Sequence, residues 1–150
     1  MKIEEAIKQS KFENSYQKAL INIIYTANFL RDRQNEMFKG YGLLPQHYNV
    51  LRIMNGRFPE AVSAGEIKEV MLDKGNDVTR LVDKLVKLGL AKRSLCKTNR
   101  RKMDIIITQK GIQLIKEISD PLKKQITQLK KTISEKEAEL LSDLLDKFRI

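Results

Sequence analysis

Residues 76–111 read NDVTRLVDKLVKLGLAKRSLCKTNRRKMDIIITQKG, and two periodicities follow one another in them. Val78, Leu81, Val82 and Leu85 recur at helical spacing, and Gly89 stands where a helix ends. Two strand-like runs follow at residues 90–95 and 103–108, the second carrying the isoleucines Ile105, Ile106 and Ile107. Between the runs lies CKTNRRK, with four cations in the six residues from Lys97 to Lys102. The pattern predicts a helix, then a β-hairpin with a basic tip.

The preceding residues supply a partner for that helix. Ser63-Ala64-Gly65-Glu66 has the spacing of a capping box, in which the hydroxyl accepts from the backbone three residues on and the carboxylate reaches back. A short helix is expected over 64–72, burying Ile67, Val70 and Met71. Asp73-Lys74-Gly75 makes a turn, and Asn76 is expected to cap the next helix, which runs to about residue 88. Two helices joined by a tight glycine-containing turn form a helix-turn-helix, and the hairpin behind them makes it winged.

The flanks are helical. Apolar residues recur from Phe12 to Phe38, predicting one long helix closed by Gly40 and Gly42. A second helix is expected to start at Pro45 and to stop at Asn55-Gly56. After the hairpin, Thr108 caps a helix with Ile112, Leu114, Ile115 and Ile118. Asp120-Pro121 is read as opening another, with Leu122, Ile126 and Leu129 on one face. Ser134 and Glu137 form a second capping box ahead of Leu140, Leu141, Leu144, Leu145 and Phe148. The expected fold is mainly α with a small β-hairpin wing. Residues 43–111 would form the winged helix-turn-helix, and residues 1–42 and 112–150 a helical dimerisation region, in one continuous domain.

The charge is local. The formal net charge is +10, and residues 79–102 alone hold nine cations against the single anion Asp83. Such a surface is the electrostatic footprint of a nucleic-acid partner, and a merely solvated charged face is the alternative. The helix would enter the major groove, with Arg80 reading guanine, Asn76 reading adenine or capping, Thr79 touching a thymine methyl or a phosphate, and Lys84 and Lys87 on phosphates. The wing residues Lys97, Thr98, Asn99, Arg100, Arg101 and Lys102 would reach phosphates or a minor groove.

Other chemistries find little footing. No 18-residue apolar run suggests a membrane span, and MKIEEAIKQS lacks the apolar core of a signal peptide. The single Cys96 excludes an internal disulfide and fits a reducing, cytoplasmic setting. With one His and no Cys/His cluster, neither a metal site nor a cofactor is expected. No nucleophile–base constellation or phosphate-cradling glycine loop points to an enzyme. Aromatic platforms for stacking RNA bases are missing from the basic segment.

Taken together, VTRLVDKLVKLGL at 78–90, Arg93, Asn99-Arg100-Arg101 and ITQKG at 107–111 resemble the bacterial multiple-antibiotic-resistance repressor (MarR) family, as does GLLPQHYNVL at 42–51. The resemblance covers roughly residues 42–115. It implies a dimeric winged-helix regulator of double-stranded DNA, usually a repressor on a pseudo-palindromic operator, often released by a small aromatic or phenolic ligand. In that family the wing carries Asp-x-Arg. Here Asn99 stands in the Asp position and Arg101 matches the Arg, so the bracing ion pair is expected to be lost while the groove-reaching cation is kept. The dimer would bury Phe12, Tyr16, Leu140, Leu141, Leu144 and Phe148. Tyr25, Tyr41, His47 and Tyr48 lie in segments expected to line the ligand pocket, or else are ordinary packing. A redox role for Cys96, its thiolate stabilised by Lys97 and Arg93, is the lesser expectation. The competing reading of another class is an architectural protein that binds nucleic acid without sequence preference or ligand control.

Overall fold

The computed structural model describes residues 1–149. The chain divides into two compact units, one ending at Tyr48 and one beginning at Asn49.

In the first unit, α1 (Ile3–Ala6) precedes the long α2 (Ser15–Lys39). Helix α2 starts later than the apolar spacing suggests. Asn14 is its cap, its Oδ1 accepting from the Gln17 N–H at 2.9 Å. A short amide at that place satisfies an orphan donor, whereas Phe12 has no such group. The Phe12 ring lies instead 5.9 Å from the Lys18 ammonium, which also pairs with Glu4. Phe38 and Leu43 are buried around the turn that closes α2, and the Phe38 and Tyr48 ring centroids stand 5.1 Å apart.

Helix α3 (Pro45–Arg57) begins at the predicted proline. The Leu44 N–H donates to His47 Nδ1 at 2.9 Å, so an imidazole serves the free N-terminal donor. The helix does not stop at Asn55-Gly56. It runs through both to Arg57, and ends where Pro59 disfavours helical backbone in the residue before it.

In the second unit the core gathers Leu51, Met54, Ile67, Leu85, Ile105 and Ile118, all nearly inaccessible. Helix α4 is Ala64–Val70. Its capping box is formed in full: Ser63 Oγ accepts from the Glu66 N–H, and Glu66 Oε2 accepts from the Ser63 N–H at 2.8 Å. The helix is shorter than expected, because Met71 turns to extended backbone with ψ 141°. Met71 therefore swings into the core, and Val70, expected to be buried, is 59% exposed. Helix α5 (Val78–Lys87) buries Val78, Leu81, Val82 and Leu85 as predicted. Its cap is Asp77 rather than Asn76: Asp77 Oδ1 accepts from the Arg80 N–H. Asn76 sits one residue earlier, donating from Nδ2 to the Asp73 carbonyl. Gly89 takes φ +72°, the left-handed conformation that closes α5, and the Leu90 N–H returns to the Leu85 carbonyl.

Strands β1 (Ala91–Leu95) and β2 (Met103–Ile107) pair antiparallel, Arg93 opposite Ile105. The pattern gave no sign of a further contact, a bridge between Val62 and Ile105 with two backbone bonds of 2.8 Å. It ties the segment before α4 to the outer edge of β2.

Helix α6 (Gln109–Leu129) is capped by Thr108, whose Oγ1 accepts from the Gly111 N–H and donates to the Gly89 carbonyl. The expected break at Asp120-Pro121 does not occur. Pro121 lies inside the helix. The stripe Ile115, Ile118, Leu122, Ile126, Leu129 keeps steps of three and four across it, so one continuous apolar face outweighs the missing proline donor. Helix α7 (Glu135–Phe148) opens on the second capping box, with Glu137 Oε2 accepting from the Ser134 N–H at 2.8 Å.

Candidate nucleic-acid interface

Helix α5 turns one face into the core and leaves Thr79, Arg80, Asp83, Lys84 and Lys87 exposed on the other. Burial of Val78, Leu81, Val82 and Leu85 fixes the rotation of the helix, so that basic face is set by packing rather than by any charge. Among the described residues Arg80, Lys84 and Lys87 have no ion-pair partner. Arg93, on β1, pairs with Asp83, the one anion of the basic window.

The wing tip is a built turn. The Lys102 N–H donates to the Asn99 carbonyl at 2.9 Å and the Cys96 N–H to the Lys102 carbonyl at 3.0 Å. Asn99 Oδ1 accepts from the Arg101 N–H at 3.0 Å. The neutral amide therefore braces the turn by a hydrogen bond where an ion pair was expected to be lost. Lys97, Thr98, Asn99, Arg100, Arg101 and Lys102 are all exposed. Cys96 Sγ lies 3.4 Å from Thr98 Oγ1. The Thr98 hydroxyl, followed by the backbone N–H groups of Thr98 and Asn99, lowers the thiol below its ordinary range, while Asp104 opposes the shift. Lys97 and Arg93, the cations expected to do this, are not among the causes.

Two grooves flank this surface that residue spacing alone did not reveal. One, of about 360 Å³, runs between α4 and the start of α5 and is lined by Gly65, Lys68, Asn76 and Thr79. The other, of about 370 Å³, separates α4 from the wing and is lined by Glu66, Glu69, Arg101 and Lys102. Hydrogen bonds from the backbone and hydroxyl of Ser63, with Arg57 and Lys102 adding, hold the Glu66 carboxyl below its usual range. Lys68 and Gly65 thus join Asn76 and Thr79 at one surface, through a turn whose shape the sequence does not spell out.

The other predicted site residues differ widely in burial. Tyr16 is 84% exposed, Leu140, Leu141, Leu144 and Phe148 are each about half exposed, and Phe12 is half-buried. His47 is buried, Tyr41 and Tyr48 are half-buried, and Tyr25 is exposed on α2, about 20 Å along the helix from Phe38. The Tyr48 hydroxyl is buried with no hydrogen-bond partner among the described residues. No group of three His, Cys, Asp or Glu that would hold a metal occurs among the described residues.

No family model matches the chain. It is 28% identical over 116 residues to the HTH-type transcriptional regulator MhqR of Bacillus subtilis, 77% of this chain and 79% of that protein. Its fold matches that of a MarR transcription factor from Planctomyces limnophilus with TM-score 0.70 and 26% identity, over 91% of this chain and 98% of that one. In sequence and fold the chain is similar to MarR-type regulators. A mutant MarR from Escherichia coli, crystallised with operator DNA, gives TM-score 0.74 at 24% identity over 93% of this chain and 99% of that one. The architecture, mainly helical with a two-stranded wing, is the one these solved structures share, and the relatives are named as transcription regulators. No helix among the described residues is long and apolar enough to cross a membrane.

Proposed function

We propose that the chain is a sequence-specific, double-stranded DNA-binding transcription regulator that acts as a homodimer. The observation that carries this reading is the unpaired basic face of α5 beside a braced basic wing, on a fold shared with a MarR protein crystallised on operator DNA. In this reading α5 enters the major groove. Arg80 donates to a guanine edge, Asn76 and Thr79 meet bases or phosphates near the helix start, and Lys84 and Lys87 take phosphates. Lys97, Arg100, Arg101 and Lys102 reach the adjacent backbone or minor groove, where negative potential favours arginine, with Thr98 and Asn99 shaping the tip. Lys68 adds a phosphate contact from α4.

The exposed apolar residues on α2 and α7, with Tyr16, Leu140, Leu141, Leu144 and Phe148 foremost and Phe12 beside them, support a second copy as partner. Residues 1–42 and 112–150 then serve dimerisation and residues 43–111 duplex binding. Two recognition helices about 34–36 Å apart fit a pseudo-palindromic site. Repression, released by a small aromatic or phenolic effector near Tyr41, His47 and Tyr48, is the finer form of the reading, supported by the buried unpartnered Tyr48 hydroxyl.

Selection of bound sequences from random duplex DNA tests it. The enriched site should be a pseudo-palindrome. Arg80→Ala should then lose about 1–3 kcal/mol and relax preference at one position in each half, and Lys84→Ala should weaken all sequences alike. An Arg80→Ala protein with unchanged affinity would remove α5 from the major groove.

A further inference from the structure

Asp83 is the only carboxylate in residues 79–102, among nine cations. It stands on the exposed face of α5, three residues after Arg80 and four before Lys87, so all three share one side of the helix. A free carboxylate there would repel the phosphates brought to that face. It is not free, because Arg93 Nη1 donates to Asp83 Oδ1.

The strand explains how the arginine gets there. Arg93 lies midway along β1, opposite the buried Ile105, and shares a face of the hairpin with it. Its stem therefore runs over the core-facing side and its guanidinium emerges at α5. Lys92, the neighbouring residue, points to the opposite face and stays available to solvent. Among the described residues this is the one ion pair that joins α5 to the hairpin. The side chains are 33% and 53% exposed, so the pair adds little to overall stability. What it fixes is orientation. A planar guanidinium held by a carboxylate on the next element restrains the hairpin's angle to the helix more than a flexible ammonium would.

We infer that Asp83 and Arg93 are positioning residues: their ion pair sets the angle between α5 and the wing, and neither reads a base. The inference rests on the duplex-binding reading above and deepens it. Arg93 is thereby removed from the set of cations that meet DNA. The rival role for Asp83 is direct readout, accepting from a cytosine amino group in the major groove.

The test uses the full chain as Asp83→Asn, Arg93→Gln, the double variant of the two, and the exchange Asp83→Arg with Arg93→Asp. Two measurements are made: hydrogen exchange of the hairpin amides without DNA, and affinity with hydroxyl-radical footprinting on the duplex that the native protein selects. Each single variant should speed exchange in β1 and β2. Affinity should fall about three- to fivefold per subunit, equally for every base substitution in the site. The double variant should be no worse than either single one, and the exchanged pair should regain hairpin protection. A changed preference at one base pair in Asp83→Asn overturns the inference in favour of readout. Additive losses, or unchanged hairpin exchange in both single variants, overturn it as well. The exchange measurement needs no DNA, so it separates failure here from failure of the duplex-binding reading, which shows as a native protein that selects no sequence.

Discussion

Gly111 shows how much one missing carbon decides in this molecule. A Cβ built there would lie 2.4 Å from the Leu90 carbonyl oxygen and 2.7 Å from Ile107 Cγ1. The first turn of α6 lies against the backbone at Leu90, just before β1, and only glycine permits the approach. Gly111→Ala should therefore cost about 1–3 kcal/mol, near the upper end because a backbone carbonyl cannot swing aside. Thermal unfolding checks this, and an unchanged Tm would show that α6 has room to slide. The glycine was visible in the ITQKG motif, but its reason was not, since two segments about twenty residues apart have to meet before the clash exists. Asn99 is similar. Its identity showed that a carboxylate was missing, while the hydrogen bond from the Arg101 N–H that replaces the ion pair belongs to the folded turn.

Caps and stripes carry most of the information at the scale of elements. Both capping boxes, Ser63 with Glu66 and Ser134 with Glu137, form as their spacing requires. Their carboxyls are held below the ordinary range, mainly by N–H and hydroxyl groups of the capping serines. The folded pKa of each therefore lies below the unfolded one. The stability they contribute is complete above the unfolded value and is lost as pH falls through the folded value. Tm should stay level from neutrality to about pH 5 and fall below about pH 4, and Glu66→Gln and Glu137→Gln should each flatten that fall. A fall of equal steepness in both variants would place the acid sensitivity elsewhere. Element boundaries are less legible in the residues than the capping boxes. Pro121 has the local signature of a helix start and is an interior residue, because local preference yields to a continuous apolar stripe. The cap of α5 moved one residue, from Asn76 to Asp77, since either side chain can accept the bond and the preceding turn chooses between them. The bridge between Val62 and Ile105 pairs single residues and leaves no periodicity to read.

Across the whole molecule, large apolar side chains remain outside on α2 and α7, with Tyr16 at 84% and Leu140 at 58% exposure. Such faces support the proposed second copy as partner. Sedimentation should give a dimer, and Leu141→Glu with Leu144→Glu should yield a monomer that keeps its helicity but loses most of its affinity for a two-fold duplex site. A native protein that sediments as a monomer at micromolar concentration would contradict the arrangement. The basic face was legible early because charge clusters in sequence as it does in space. Which cations stay available was not, since Arg93 is drawn to Asp83 only in the fold. The most direct measurement is the affinity of the dimer for its selected duplex and for a scrambled one, each at two salt concentrations. The account predicts a preference of roughly 10³ or more for the selected site, with both affinities dropping steeply as salt rises. Equal affinity for the two duplexes at both concentrations would contradict it and leave an architectural protein held by charge alone.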